Sequence, residues 1–182
     1  MTYLALTKRQ IAIAALLGVA AAVLSLLNVA VPIGEGLELD PGEIFVSLAA
    51  AFGGPLGGLL AGFLKGIVYA PERNVPSHML AGFVWGLLYI YLWRFTANRK
   101  NGKLVRIALW SILMPFYYYV LLLPLNLWIL ATLDPKISFS SLFIEVAPLI
   151  IPEIIGTIAA TDIVLAVIPD KLASPVGSKS TE

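Results

Sequence analysis

Glu43-Ile-Phe-Val-Ser-Leu-Ala-Ala-Ala-Phe-Gly-Gly-Pro-Leu-Gly-Gly-Leu-Leu-Ala-Gly-Phe-Leu-Lys-Gly-Ile67 is apolar, yet it does not read as one ordinary membrane helix. Gly53-Gly54-Pro55 cuts it near the middle. Pro55 has no N–H and disfavours the helical conformation at Gly54, so a first helix stops there. Pro55 then suits the first turn of a second helix. Beyond it, Gly57, Gly58, Ala61, Gly62 and Gly66 leave a helix face almost bare of side chains, which another helix can approach closely. Two topologies stay open: one kinked helix that crosses once, or a hairpin of two short helices, Glu43 to Phe52 and Pro55 to Tyr69.

The surrounding chain places this stretch in a membrane. Of 182 residues, 59% are hydrophobic and 13% charged, and the mean hydropathy is +0.91. A soluble domain would carry roughly 25% charged residues, and several apolar runs here approach or exceed ~18 residues. The net charge of +1, with no basic patch interleaved with aromatics, gives no sign of a nucleic-acid partner. No cysteine is present, which excludes disulfides, thiolate metal sites and Cys nucleophiles. Lys8 and Arg9 precede an apolar run from Ile11 to Val31, longer than the about 7–15 residues of a signal-peptide core. It reads as a retained first transmembrane helix, Thr7 to Val31.

On that helix Ala14, Gly18 and Ala22 recur every four residues, a spacing that permits close backbone packing in lipid. Packing within the chain and docking of another membrane protein both fit. Next, Pro32 to Glu43 is a loop by its Pro and Gly content. It carries Glu35, Glu38, Asp40 and Glu43 and no base, and suits either a solvated loop or a lid. Asp40-Pro41 with Glu43 also matches a helix start. Helix 4 is expected from Pro76 to Phe95, helix 5 from Leu104 to Leu133 and helix 6 from Ser141 to Ile168. Residues 1–172 then form a single integral-membrane domain and 173–182 a short cytoplasmic tail.

The positive-inside rule chooses between the topologies. Lys8 and Arg9 put the N-terminus in the cytoplasm. With a hairpin, six crossings bring the basic cluster Arg94, Arg99, Lys100, Lys103 and Arg106 there too, together with Lys171 and Lys179. A single kinked helix would expose the cluster outside. The expected fold class is therefore all-α and polytopic: six transmembrane helices, a short helix 2/3 hairpin broken at Gly53-Gly54-Pro55, and both termini cytoplasmic.

Ionisable groups within such spans are costly and mark functional sites by default. Lys65, Glu145, Glu153 and Asp162 are the candidates. On a straight helix Glu145 and Glu153 stand ~80° apart, while Glu153 and Asp162 are ~180° apart. His78, Trp85 and Tyr89 share one face of helix 4. Tyr119 and Asn126 share one of helix 5. Aromatic core packing explains each ring singly. Together, His78, Trp85, Tyr119, Asn126, Glu145 and Glu153 make aromatic walls with a few polar anchors, the usual make-up of a small-molecule pocket. Arg73, Asn74 and the acidic loop with Glu35 and Glu38 would lie at its outer mouth. There is no HExxH, phosphate loop, nucleotide fingerprint or serine elbow, so the sequence offers no catalytic residues, no metal site and no cofactor motif.

The N-terminal small-residue helix, the loop, the short helix running into Phe52-Gly-Gly-Pro-Leu-Gly-Gly-Leu-Leu-Ala-Gly62, the Ala81-Gly82-Phe83 of helix 4, the basic loop and Gly156 together resemble the substrate-binding S components of energy-coupling factor (ECF) vitamin transporters. The likeness extends over about Thr7 to Leu172. It implies a non-enzymatic, multi-pass protein of a prokaryotic cytoplasmic membrane, with six helices. It also implies a partner transmembrane coupling subunit, docked through Ala14, Gly18 and Ala22, and a pair of ATPase subunits that supply energy. The resemblance further implies that the ligand is bound from outside by the first loop and the outer halves of helices 4 to 6. Excess acid at the mouth leans towards a cationic or heteroaromatic ligand such as thiamine or a precursor. The glycine hairpin also resembles the membrane sensor domain of LytS-type kinases, which would act through a signalling partner.

Overall fold

The computed structural model describes residues 6–27, 29, 31–34, 37–68, 70–170 and 174; for residues 31–34 and 37–39 it describes the backbone alone. Glu35 and Lys171, and Lys179 in the expected tail, lie outside the described residues.

Helix α1 spans Lys8–Leu26 and begins in a capping box: the Gln10 amide donates to Thr7 Oγ1 at 3.2 Å and the Thr7 amide to Gln10 Oε1 at 3.0 Å. The expected loop after it contains a short antiparallel pair, β1 (Val31–Gly34) and β2 (Leu37–Leu39), in register Val31↔Leu39 with an irregularity between Pro32 and Gly34. The otherwise helical chain thus carries a small β-ribbon, whose second strand packs against the last helix.

Helix α2, Gly42–Gly66, contains the broken stretch. Gly54 has φ 61° and ψ −153°, a conformation open to glycine and closed to other residues, so the turn is written at that position. The chain doubles back there. A Cβ on Gly57 would lie 2.6 Å from the Ala49 carbonyl oxygen, and one on Gly58 would lie 3.0 Å from Ala50 Cβ. In a continuous helix residues eight apart are separated by ~12 Å along the axis. The two arms meet again at the open end, where Lys65 is ion-paired with Glu43.

The small residues are where the neighbours enter. Ala14 lies beside Gly53 and Gly57; Gly18 lies so close to Ala61 and Leu64 that a Cβ there would be 2.8 Å from both. The Gln10 amide nitrogen donates to the Phe52 carbonyl at 3.3 Å near the turn. Helix α1 therefore runs the length of the hairpin. The Ala14/Gly18 face is an internal seam, the within-chain packing the spacing allowed; Ala14 is fully buried and Gly18 buried, while Ala22 is half-buried. Helix α3, Pro71–Thr96, packs on the second arm in near backbone contact, with Gly58 against Gly82 and Gly62 against the His78 carbonyl. It starts five residues before the expected Pro76, because Pro71 already supplies the first-turn proline.

Expected helix 5 is α4 (Gly102–Phe116), a π-helical segment (Tyr117–Leu122) and α5 (Leu123–Leu133) in continuous succession. Pro124 has no N–H for the Val120 carbonyl, and the Leu123 amide instead reaches the Tyr118 carbonyl, five residues back. Expected helix 6 divides into α6 (Phe139–Val146) and α7 (Ile151–Val167), bent by 58° across a break at residues 147–150 that contains Pro148. Among the described residues four helices, or five when this bent pair counts as one span, are long and apolar enough to cross a membrane.

The main core lies between α2, α3, α4, the π-segment and α7. Trp85 stacks on Trp110 (4.2 Å between centroids) and Tyr117 (4.6 Å), and Tyr89 meets Trp110 edge-on at 5.1 Å. Trp110 Nε1 donates to Thr161 at 3.3 Å, and Ser111 donates to Asp162 Oδ2 at 2.6 Å. These bonds satisfy polar groups that would otherwise be orphaned in an apolar surrounding.

Candidate functional site

The open end of the hairpin forms the floor of a cavity of about 370 Å³, within the size of small-molecule sites. Its walls are the end of α1 (Leu24, Ser25), the α2 mouth (Asp40, Glu43, Lys65), the start of α3 (Arg73, Asn74, His78), the π-segment and α5 (Tyr118, Leu122, Asn126), and Ile150 with Glu153.

Charge on the floor is tightly paired. Lys65, 4% exposed, bridges Glu43 Oε1 and Asp40 Oδ2, the latter at 2.8 Å. His78 Nδ1 lies 3.1 Å from Glu43 Oε1. A buried lysine is tolerated only when its charge is met in this way. The other Asp40 oxygen accepts from the Gly42 amide at 2.8 Å, so one carboxylate both starts α2 and holds Lys65. Glu43 Oε2 and Arg73 Nε are enclosed without a hydrogen-bond partner.

The walls are positioned by bonds between helices. Asn126 Nδ2 donates to Asn74 Oδ1 at 3.2 Å and Ser77 Oγ at 3.3 Å, fastening α5 to α3. Tyr118 and Thr157 share a hydroxyl bond of 3.2 Å between the π-segment and α7. The wider π-turn puts Tyr118, Leu122, Leu123 and Asn126 all on the cavity.

Of the residues singled out from the sequence, Arg73, His78, Asn126 and Glu153 come together here. Trp85 does not; it is fully buried in the aromatic core two turns below His78. Tyr119 turns away and donates to the Ala147 carbonyl at 2.8 Å, bracing the α6–α7 break. Glu145 is exposed on α6: the straight-helix wheel that paired it with Glu153 is void across a 58° bend. Glu38 is in β2, with only its backbone described, and Glu35 lies outside the described residues. Lys65, a candidate by its burial in an apolar span, and Asp40, Glu43 and Asn74, expected only at the outer mouth, line the cavity itself, and Tyr118 joins them. The signal for three of them was present: an acid opening one arm and a lysine closing the other must meet if the arms fold together. Among the described residues no group of three or more His, Asp or Glu side chains is arranged to hold a metal ion.

A polar-floored cavity at the end of a helical membrane body suits a binding protein, and residues 9–168 match the family model described as "ECF transporter, substrate-specific component". The chain belongs to that family. It is also 29% identical, over 156 residues, to the "Riboflavin transporter FmnP" of Bacillus subtilis (strain 168), covering 79% of this chain and 81% of that protein. No solved structure matches. Membership makes it a substrate-specific component of a vitamin-type importer and a multi-pass membrane protein, in a family of transporter parts rather than enzymes.

Proposed function

We propose that the chain is the high-affinity binding subunit through which a riboflavin-like vitamin is imported, and that the ligand sits in the cavity over Glu43, Lys65 and His78. The observation that carries this reading is the enclosed floor, where Lys65 bridges two of the acids that the sequence left unpaired and offsets one of their charges. Against Lys65 and Arg73 stand Asp40, Glu43 and Glu153, so the cavity is nearly neutral rather than strongly anionic. That favours a neutral, donor- and acceptor-rich heteroaromatic ring over the cationic ligand suggested by counting acids, and it agrees with the name of the relative.

Six crossings follow when the arms of α2 count separately: α1, two arms, α3, α4 through α5, and α6 with α7. Both termini and the basic loop then face the cytoplasm of a prokaryotic cell, and the cavity faces outward under β1 and β2. A coupling subunit and ATPase subunits supply the energy. Since the Ala14 and Gly18 face is filled by the hairpin, docking of the coupling subunit uses the outward surface of α1, which presents Leu16 and Val19.

Protein purified in mild detergent should bind riboflavin with nanomolar to micromolar affinity and quench its fluorescence. Absence of riboflavin binding, with a different vitamin recovered by mass spectrometry from the denatured protein, would overturn the ligand assignment.

A further inference from the structure

The opposite end of the bundle holds a second cavity, about 610 Å³, between the end of α3, the start of α4 and the end of α7. Helix α3 alone, 26 residues and ~39 Å long, separates it from the first. Arg99, Lys100, Lys103 and Arg106 line it against one acid, Asp170. We propose that this cavity binds the headgroup of an anionic phospholipid.

The four cations are not equivalent. Arg106 is 3% exposed; it bonds Asp170 Oδ1 at 2.7 Å, reaches Thr96 at 3.3 Å and lies 3.9 Å over the Trp93 ring. Lys103 caps the end of α7 through the Ala166 and Ile168 carbonyls. These two build the wall. Arg99 is held in place, its guanidinium 3.9 Å over Phe95 and its Nε donating to the Phe95 carbonyl at 3.1 Å, which leaves its terminal nitrogens without a partner among the described residues. Lys100 likewise has none. The N-terminus of α4 opens beside them, and the Asn101 side chain does not cap it. Fixed guanidinium, exposed unpartnered ammonium and uncapped helix start together suit a phosphate group.

A lipid fits better than a soluble phosphate because the rim is apolar. Phe95, which carries Arg99, is 56% exposed, and Leu104, in the cavity wall, is 68% exposed. An acyl chain can lie along these side chains while its headgroup sits among the cations. Basic pockets between helices at a membrane face recognise headgroups by this combination.

The test is lipid retention by the purified full chain in neutral detergent, read by native mass spectrometry after addition of phosphatidylglycerol or phosphatidylcholine. Phosphatidylglycerol should be retained in preference, less so as ionic strength rises. Arg99→Gln/Lys100→Gln, two exposed positions remote from the first cavity, should lower that retention roughly 10- to 30-fold, the size expected for removing two cations near anionic lipid. Riboflavin binding should be unchanged in the variant. Glycerol phosphate at the same concentration should not compete. Equal retention of both lipids, or equal retention by the double variant, would overturn the proposal. So would competition by glycerol phosphate, which would mark a soluble-anion site, or loss of ATPase-module binding in the variant with lipid retention intact, which would mark an acidic protein surface as the occupant.

Discussion

Lys65 and Glu43 are separated by 22 residues within one helical element and are ion-paired at its mouth. A straight helix would hold them ~33 Å apart. The pair therefore records the fold-back at Gly54, closes the hairpin, and forms the floor of the cavity in one contact.

Removing the lysine should be costly. Lys65→Met leaves Glu43 buried with its counter-charge gone, and breaking such a pair destabilises by about 3–5 kcal/mol. Lys65→Met/Glu43→Gln should recover much of that loss. Thermal unfolding of the two variants and of Glu43→Gln closes the cycle; additive effects would show that the pair is not coupled.

Asp40→Asn isolates the tie between the β-ribbon and the hairpin. The side-chain oxygen that accepts from Gly42 is kept, and the charge facing Lys65 is lost. Asp40 is 42% exposed, so its pair is worth at most about 1 kcal/mol. Ligand release should accelerate up to about fivefold with little change in melting temperature. Stopped-flow recovery of flavin fluorescence measures it, and an unchanged rate would show that the Asp40–Lys65 pair does not retain the ligand.

Asn126→Ala and Trp85→Phe should separate wall from core. Asn126 lies on the cavity, and losing it should weaken ligand binding about five- to tenfold through lost hydrogen bonds. Trp85 is enclosed among Trp110 and Tyr117, so its truncation should lower stability and leave affinity nearly unchanged. Titration alongside thermal unfolding distinguishes them; a large affinity loss in Trp85→Phe would put the ligand deeper than the cavity floor.

Gly54→Ala forces a side chain into φ 61°, ψ −153°, which costs about 1–3 kcal/mol. Gly18→Leu collides with Ala61 and Leu64 across the α1 seam. Both should impair folding and ligand binding together. If Gly18→Leu instead abolished uptake while leaving binding intact, the small-residue face would be a docking surface after all.

Topology is open to cysteine labelling, since the native chain has none. In intact cells Asn101→Cys should resist an impermeant reagent and Asp134→Cys should react. The reverse pattern would invert the orientation.

Gly53-Gly54-Pro55 showed in the sequence that the helix must break, because proline and glycine act through local backbone sterics that need no partner. Charge asymmetry along the chain favoured folding back, and the motifs around the break were enough to indicate the family. Part of the chosen cavity set was legible for a related reason: His78, Asn126, Glu153 and Arg73 are polar groups that an apolar body must gather somewhere. What the sequence left undecided depended on geometry between elements. The partner of Ala14 and Gly18 was ambiguous because small-residue spacing specifies close packing without saying what packs. Glu145 was misplaced with Glu153 because helical periodicity does not carry across the break at 147–150, and Trp85 was drawn toward the pocket because a ring on the same face as His78 can lie two turns too deep. Only the tertiary structure brought Asp40 and Glu43 onto Lys65, and so set a buried lysine against an apparently unopposed acidic mouth: charge compensation depends on distance in space, which residue spacing alone does not contain.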